Sequence, residues 1–249
     1  MTFVEWWTDA NNSTLEFSQY IYGPRHIALL IAAFGLTIFL LLLFRKKSEK
    51  SKNILLTVLA SILLFYEIST RIVNLIILND YTLTNIFKII MPLHICSVAV
   101  WVLIIGFFTK NKLLLSSGVV MALVATSVYL LCPGTGINKV NITFTATYSI
   151  ISHTTGFILS VLLIGFGYIK LELHKIWQTY LAFGLMLLWG ALVDFVILPG
   201  SDYMYLRNNP LPIDLVIPHQ IIYGALLAIY IFMFYYIYYL KSKKTKKAY

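Results

Sequence analysis

Residues Met91-Pro92-Leu93-His94-Ile95-Cys96-Ser97-Val98-Ala99-Val100-Trp101 place a proline, an imidazole and a thiol at the start of an otherwise apolar segment. A helix that crosses the hydrocarbon core of a bilayer takes about 20 apolar residues, and this segment with its neighbours is long enough. Ionisable side chains are costly in hydrocarbon, so those found inside a span mark functional sites by default. His94 is therefore the first candidate site residue.

The composition of the whole chain is that of an integral membrane protein. Of its 249 residues, 59% are hydrophobic and only 12% are charged, and the mean hydropathy is +0.82. Soluble domains carry about 25% charged residues. The net charge of +9 comes from basic residues that flank apolar runs, which is typical of topology signals and of contact with anionic lipid. We expect no nucleic-acid partner, and the first twelve residues predict no cleavable signal peptide.

The apolar runs predict an all-α integral membrane protein with seven transmembrane helices in a single domain over residues 1–249. The predicted spans are about 25–44, 54–78, 89–108, 113–132, 147–168, 176–197 and 219–240. With the N-terminus outside, 14 of the 19 Lys and Arg residues lie on the inner side and 4 on the outer side, as the positive-inside rule prefers. The prediction is thus a bundle with its N-terminus outside, its C-terminus inside and a basic cytoplasmic tail at 241–249, in the plasma membrane.

On this topology almost all polar side chains of the spans share one depth, in the outer half of the bilayer. They are His94, Cys96, His153, Glu67, Arg71, Asn74 and Asp194. Unrelated polar residues would have no reason to share a depth, so this co-location predicts a polar site.

Glu67, Arg71 and Asn74 follow i, i+4, i+7 spacing and lie on one helical face. One interpretation is an ion pair that neutralises two costly charges and fixes the second span against its neighbours. The other is a wall of a polar cavity, in which Arg71 would bind a phosphate or carboxylate. Both interpretations remain open at this point.

His94 and Cys96 are two residues apart and would point about 200° from each other on a regular helix. They therefore cannot form a nucleophile–base pair unless Pro92 distorts the turn. His153, at a matching depth on another helix, is the candidate base for Cys96. The alternatives are a packing role for Cys96 and a structural hydrogen bond for His94. We expect no metal ion and no cofactor.

Three stretches resemble the YwaF-like membrane proteins, relatives of the ether-phospholipid acyltransferase transmembrane protein 164. Residues 91–97 resemble the family's apolar-Pro-Leu-His-x-Cys signature. Residues 152–156, Ser-His-Thr-Thr-Gly, are similar to its Ser-His-Gly stretch, although the glycine does not directly follow the histidine. Residues 200–206, Gly-Ser-Asp-Tyr-Met-Tyr-Leu, with a later Pro210, are similar to its Gly-Thr-Asn-Tyr-x-Phe-Leu…Pro element, with Asp202 in place of Asn.

The resemblance implies an acyltransferase that moves a fatty acyl chain between phospholipids or lysophospholipids, with Cys96, His94 and His153 as catalytic residues. Glu67, Arg71, Asn74 and Asp194 would line the polar cavity. A lipid hydrolase is a first alternative, using either the thiol or a metal ion held by the two histidines and a carboxylate. A transporter or small-molecule binder is another, but the sequence shows no internal repeat and predicts no broken helix, features that many transporters have.

Overall fold

The computed structural model describes residues 13, 15–77, 80–132, 137–208 and 218–247. Nine α-helices organise this part of the chain. They are α1 (Phe17–Tyr20), α2 (Pro24–Phe44), α3 (Glu49–Ile76), α4 (Leu83–Ile90), α5 (Ile95–Thr109), α6 (Lys112–Leu131), α7 (Phe144–Gly165), α8 (Ile176–Leu192) and α9 (His219–Lys247). A short 3₁₀ turn, Leu173–Lys175, leads into α8, and a π-helical turn, Val193–Ile197, continues it.

Six of these helical segments are long and apolar enough to cross a membrane, or seven if α4 and α5 together form one span. The prediction of an all-α protein with about seven spans is confirmed to this extent. The inside and outside faces of the bundle stay a prediction, because they depend on the distribution of basic residues and not on helix geometry.

The third predicted span is broken, and the expectation of an unbroken helix at 89–108 is wrong. α4 ends at Ile90, the next four residues are not helical, and α5 begins at Ile95. Pro92 explains the break, because it lacks an N–H for the helical ladder and biases the preceding residue away from helical geometry. His94 has extended backbone angles, φ −78° and ψ 149°, and is the N-cap of α5.

The chain divides into two compact units, of which the first comprises Met1–Ile90 and Ala125–Tyr168. Helix α7 packs against both α2 and α3 in this unit. His26, at the start of α2, is fully buried. Its Nε2 donates to the carbonyl of Leu130 at 2.7 Å and its Nδ1 accepts from the backbone N–H of Tyr22 at 2.9 Å. Both ring nitrogens therefore serve the fold.

The second unit comprises Met91–Val124 and Ile169–Tyr249. Glycines let α5 and the first part of α6 approach closely, since a Cβ on Gly106 would lie 2.5 Å from the backbone N of Leu115. Small residues at such contacts are the usual means of packing helices in lipid. Helices α8 and α9 are joined by a hydrogen bond between the hydroxyls of Thr179 and Tyr235, at 2.7 Å.

Candidate functional site

A buried charged network forms around Glu67 in the first unit. The Glu67 side chain is only 1% exposed, and its Oε2 accepts from Arg71 Nη1 at 2.7 Å. Its Oε1 accepts from the hydroxyls of Tyr148 and Ser152 on α7, at 2.8 Å and 3.2 Å. A buried ion pair is tolerated only where further hydrogen bonds satisfy its remaining lone pairs. Both carboxylate oxygens are satisfied here, so the network joins α3 to α7.

Arg71 also contacts the end of α4. Its Nε donates to the carbonyl of Ile90 at 3.0 Å, and Ile90 is the last residue before the broken span. The last carbonyls of a helix have no intrahelical donor, and a cation is favourable there. Arg71 thus stabilises the chain where α4 ends. Asn74 lies further along α3, half-buried, and is not one of these partners.

His153 directly follows Ser152 on α7 and is half-buried. Its ring stacks on Tyr129, with centroids 3.6 Å apart and an interplanar angle of 14°. Its Nδ1 lies 2.6 Å from the backbone carbonyl oxygen of Ser149. A carbonyl only accepts, so Nδ1 carries the hydrogen and Nε2 is the basic nitrogen of the neutral ring. This is the tautomer that a general base requires.

His94, in the second unit, is held in the same way. Its Nδ1 donates to the carbonyl of Tyr203 at 3.2 Å, and its ring meets the Tyr203 ring edge-on at 5.1 Å. Nε2 is again the basic nitrogen. Because His94 precedes the helix, the 200° separation from Cys96 that holds on a regular helix does not apply.

Cys96 is half-buried and is the second residue of α5. The N-terminus of a helix favours negative charge, and reactive thiolates often occupy such positions. Burial is the main cause that raises the pKa of Tyr205, and charge interactions with Cys96 and Asp202 raise this pKa further. The break itself is held by Trp189, whose Nε1 donates to the carbonyl of Pro92 at 3.1 Å.

Asp194 anchors the loop that follows α8. It is fully buried, and its Oδ1 accepts from the Ser201 hydroxyl at 2.8 Å and from the backbone N–H of Tyr203 at 3.1 Å. Its own carbonyl accepts from Arg207 Nη2 at 2.7 Å. Its Oδ2 accepts from the backbone N–H of Met204 at 3.4 Å. That N–H belongs to the same peptide unit as the Tyr203 carbonyl that orients His94, so Asp194 fixes this unit. This makes Asp194 a positioning residue for His94, a role that its place near the end of a predicted span did not indicate.

Asp202 stabilises the same loop from its outer edge. Its Oδ1 accepts from the backbone N–H of Arg207 at 3.0 Å, and its Oδ2 accepts from the backbone N–H of Asn208 at 2.8 Å. Burial acts to raise the pKa of Asp202, but the hydrogen bonds from Arg207 and Asn208 outweigh it and lower this pKa. A carboxylate at this position thus organises the turn through which Tyr203 and Tyr205 are placed.

The candidate residues fall into two groups, one in each unit. Glu67 and Arg71 share a network with Ser152, the neighbour of His153. In the second unit, Asp194 holds the loop residue to which His94 is bonded, two residues from Cys96. Among the described residues, no three His, Cys, Asp or Glu side chains come together as a metal site. Tyr148, Ser152 and Tyr203 were missed by the sequence patterns, because their partners are distant along the chain.

These features define a multi-span α-helical membrane protein with a histidine and a cysteine at the break of one span. The model of the TMEM164 family matches residues 21–238, and the chain belongs to this family. The resemblance stated from residues 91–97, 152–156 and 200–206 is thereby confirmed. A search of the curated proteins found no match. A search of the solved structures found none either.

Proposed function

We propose that this member of the TMEM164 family transfers a fatty acyl chain between phospholipids and lysophospholipids, with Cys96 as the nucleophile. His94 and His153 are the proposed acid–base residues. The observation that supports this is common to both histidines: Nδ1 donates to a backbone carbonyl, at 3.2 Å and 2.6 Å, which makes Nε2 the basic nitrogen. In covalent acyl transfer, a base generally activates the nucleophile, and a third group orients that base.

In the first half-reaction, a histidine Nε2 takes the proton of the Cys96 thiol, and the thiolate attacks the ester carbonyl of the donor phospholipid. The C–S bond forms, the ester C–O bond breaks, and the lysophospholipid leaves with the proton from the imidazolium. In the second, the hydroxyl of the acceptor lysolipid loses its proton to the histidine and attacks the thioester. The new ester forms, and the Cys96 thiolate leaves and is reprotonated.

The polar residues of the first unit have a supporting role in this proposal. The hydrogen bonds of Arg71 to Glu67 and Ile90 favour a structural part for this ion pair. Asn74, half-buried on the same helix, is the proposed donor to the oxyanion of the tetrahedral intermediate. On the predicted topology both lie in the outer half of the bilayer, so the substrate would enter from the outer leaflet of the plasma membrane.

Mass spectrometry of lipids exchanged by purified protein tests this proposal. We expect a deuterated acyl chain of phosphatidylcholine to move to lysophosphatidylethanolamine, and a thioester to accumulate on Cys96 when the acceptor is withheld. Cys96→Ser and His153→Gln should lower transfer by about 100-fold or more, in the range of lost nucleophilic or acid–base catalysis. Cys132→Ser is the matched control, because Cys132 is the chain's other cysteine and is exposed.

The assignment is wrong if Cys96→Ala and His153→Ala both retain full transfer. His94→Gln separates the two histidines: it should lower transfer as strongly as His153→Gln if both move protons. Release of free fatty acid in place of transfer to lysolipid would make the protein a hydrolase with the same nucleophile.

The broken third span favours a second candidate, a transporter or binder of a small molecule. Discontinuous helices form the substrate sites of many transporters, and the expectation that this chain has none proved wrong at Pro92. For this candidate, a polar solute would raise the melting temperature of the protein while lipid turnover stays absent. Thermal stabilisation by lysophospholipid with turnover supports the acyltransferase instead.

A further inference from the structure

An apolar groove of about 510 Å³ runs along one exposed face of α8. Its lining consists of Leu181, Gly184, Leu185, Leu187, Leu188, Ala191 and, from the loop after α8, Leu206. Positions 181, 184, 185, 188 and 191 recur at the spacing of a single helical face. Not one of the seven side chains is polar.

The groove has the length of an acyl chain in one leaflet. From Leu181 to Ala191 the helix rises about 15 Å, which is half of a hydrocarbon core about 30 Å thick. α8 belongs to a segment of mean hydropathy 2.0 that is able to cross a membrane. Three of the leucines that border the groove are exposed, Leu181, Leu185 and Leu188, and in a membrane-spanning segment lipid would cover them.

Gly184 gives the groove its depth. A Cβ placed on this glycine would meet nothing within 4 Å, which shows that the space beside it is open and that no packing contact requires a glycine. Gly190, on the adjacent face, is different, because a Cβ there would clash with the Met204 side chain. The loop after α8 therefore packs against the helix at Gly190, one residue from Ala191, and Leu206 of that loop belongs to the groove lining.

The same loop connects the groove with the candidate nucleophile. Leu206 is three residues after Tyr203, whose backbone carbonyl accepts a hydrogen bond from His94 at 3.2 Å, and His94 is two residues before Cys96. An acyl chain that lies along α8 would thus have its ester end on the side of Cys96 and its methyl end toward Leu181. We infer that the α8 groove binds the fatty acyl chain of the phospholipid substrate and that the open space at Gly184 sets the chain length accepted. This inference rests on the proposed acyl transfer.

A competition between donors of different chain length tests it in the purified protein. Gly184→Leu fills the groove from within, and we expect the ratio of long-chain to short-chain transfer to fall by about tenfold, as expected for methylenes excluded from an apolar pocket. Gly224→Leu is the matched control, because a Cβ on Gly224 of α9 also meets nothing within 4 Å. It should leave the ratio unchanged, and an unchanged ratio in Gly184→Leu overturns the inference.

Photolabelling separates this inference from the catalytic proposal, because it needs no turnover. Phosphatidylcholine with a diazirine near the end of its acyl chain should label α8 more than α9, whose exposed Leu226 and Ile229 report lipid at the general surface. The excess should disappear in Gly184→Leu and persist in Gly224→Leu. Ala191→Leu repeats the test from the other end if Gly184→Leu does not fold.

Three results would overturn the groove assignment. These are equal labelling of α8 and α9, an excess that survives both groove variants, and a dimer that Gly184→Leu dissociates, which would make a second copy of the chain the occupant. Wild-type protein that transfers no acyl chain but shows the groove-specific label would overturn the proposed reaction and leave the acyl-chain site standing.

Discussion

At the scale of single residues, the contacts of Glu67 favour one of the two interpretations left open by its spacing from Arg71, the ion pair that fixes α3 against its neighbours. The i, i+4 pair was predictable, because it is local. The hydroxyls of Tyr148 and Ser152, 81 and 85 residues away, were not. They complete the hydrogen bonding of the carboxylate. A buried ion pair whose hydrogen bonds are all made is compatible with a stable fold, but the loss of either partner destabilises it.

Arg71→Met should therefore destabilise the protein by about 3–5 kcal/mol, the cost of leaving a buried carboxylate without its cation. The double variant Glu67→Leu/Arg71→Met should recover most of this loss, since a well-packed apolar pair is often as stable as the ion pair it replaces. Denaturant unfolding in detergent micelles, followed by tryptophan fluorescence, measures both free energies.

Lys52→Met is the control, because Lys52 and Glu49 on the same helix form an ion pair of the same 2.7 Å length with an exposed carboxylate. Exposed pairs contribute little, so its effect should be much smaller. A cost for Arg71→Met no greater than that for Lys52→Met would show that the Glu67 network does not support the fold.

At the scale of elements, the apolar runs predicted the helices. The residues that shape the candidate site, however, lie where helices break or end. Pro92 was visible in the sequence, yet a proline alone does not say whether a span kinks or breaks. The outcome depends on the donors Arg71 and Trp189, which satisfy the carbonyls of Ile90 and Pro92. Those partners are 19 and 97 residues away, and local patterns do not indicate contacts of that range.

The loop after α8 gives a prediction about pH. Hydrogen bonds keep the pKa of Asp202 below its ordinary value. Its carboxylate therefore stabilises the loop at pH values above the unfolded-state pKa of about 4. This contribution is lost as the pH falls through the lowered pKa of the folded state. Hydrogen exchange, corrected for the intrinsic rate at each pH, should show the amides of Arg207 and Asn208 losing protection below about pH 4. In Asp202→Asn their protection should be independent of pH.

The amides of Leu113 and Leu114 are the internal control. They donate to the side-chain oxygen of Asn111 at 3.0 Å and 3.1 Å. These are also local backbone-to-side-chain hydrogen bonds, but the acceptor does not titrate. Equal loss of protection at Asn111 and at Asp202 would mean that acid loosens the whole unit, and the carboxylate would then have no special role.

At the scale of the whole molecule, helix geometry is the same whichever way the chain crosses the membrane, so orientation must come from charge. Each Lys or Arg near an anionic leaflet contributes about 1 kcal/mol, and an excess of 14 over 4 is large on that scale. The orientation matters to the proposed function, because an outside N-terminus would place His94, Cys96 and His153 in the outer half of the bilayer, and the outer leaflet would then supply the lipid.

Labelling of intact cells with a membrane-impermeant maleimide tests this orientation. In a background of Cys96→Ala/Cys132→Ala, Val140→Cys, in the exposed connection before α7, should be labelled without permeabilisation. Lys47→Cys, between α2 and α3, should be labelled only after detergent opens the membrane. It leaves Arg45 and Lys46 of that connection, and Lys50 and Lys52 at the start of α3, in place. The reverse pattern would put the basic tail outside and the Cys/His residues in the inner leaflet. Equal labelling of both positions in intact cells would put the connections before α3 and before α7 on one face, and α4–α5 would then be a re-entrant loop and not a crossing.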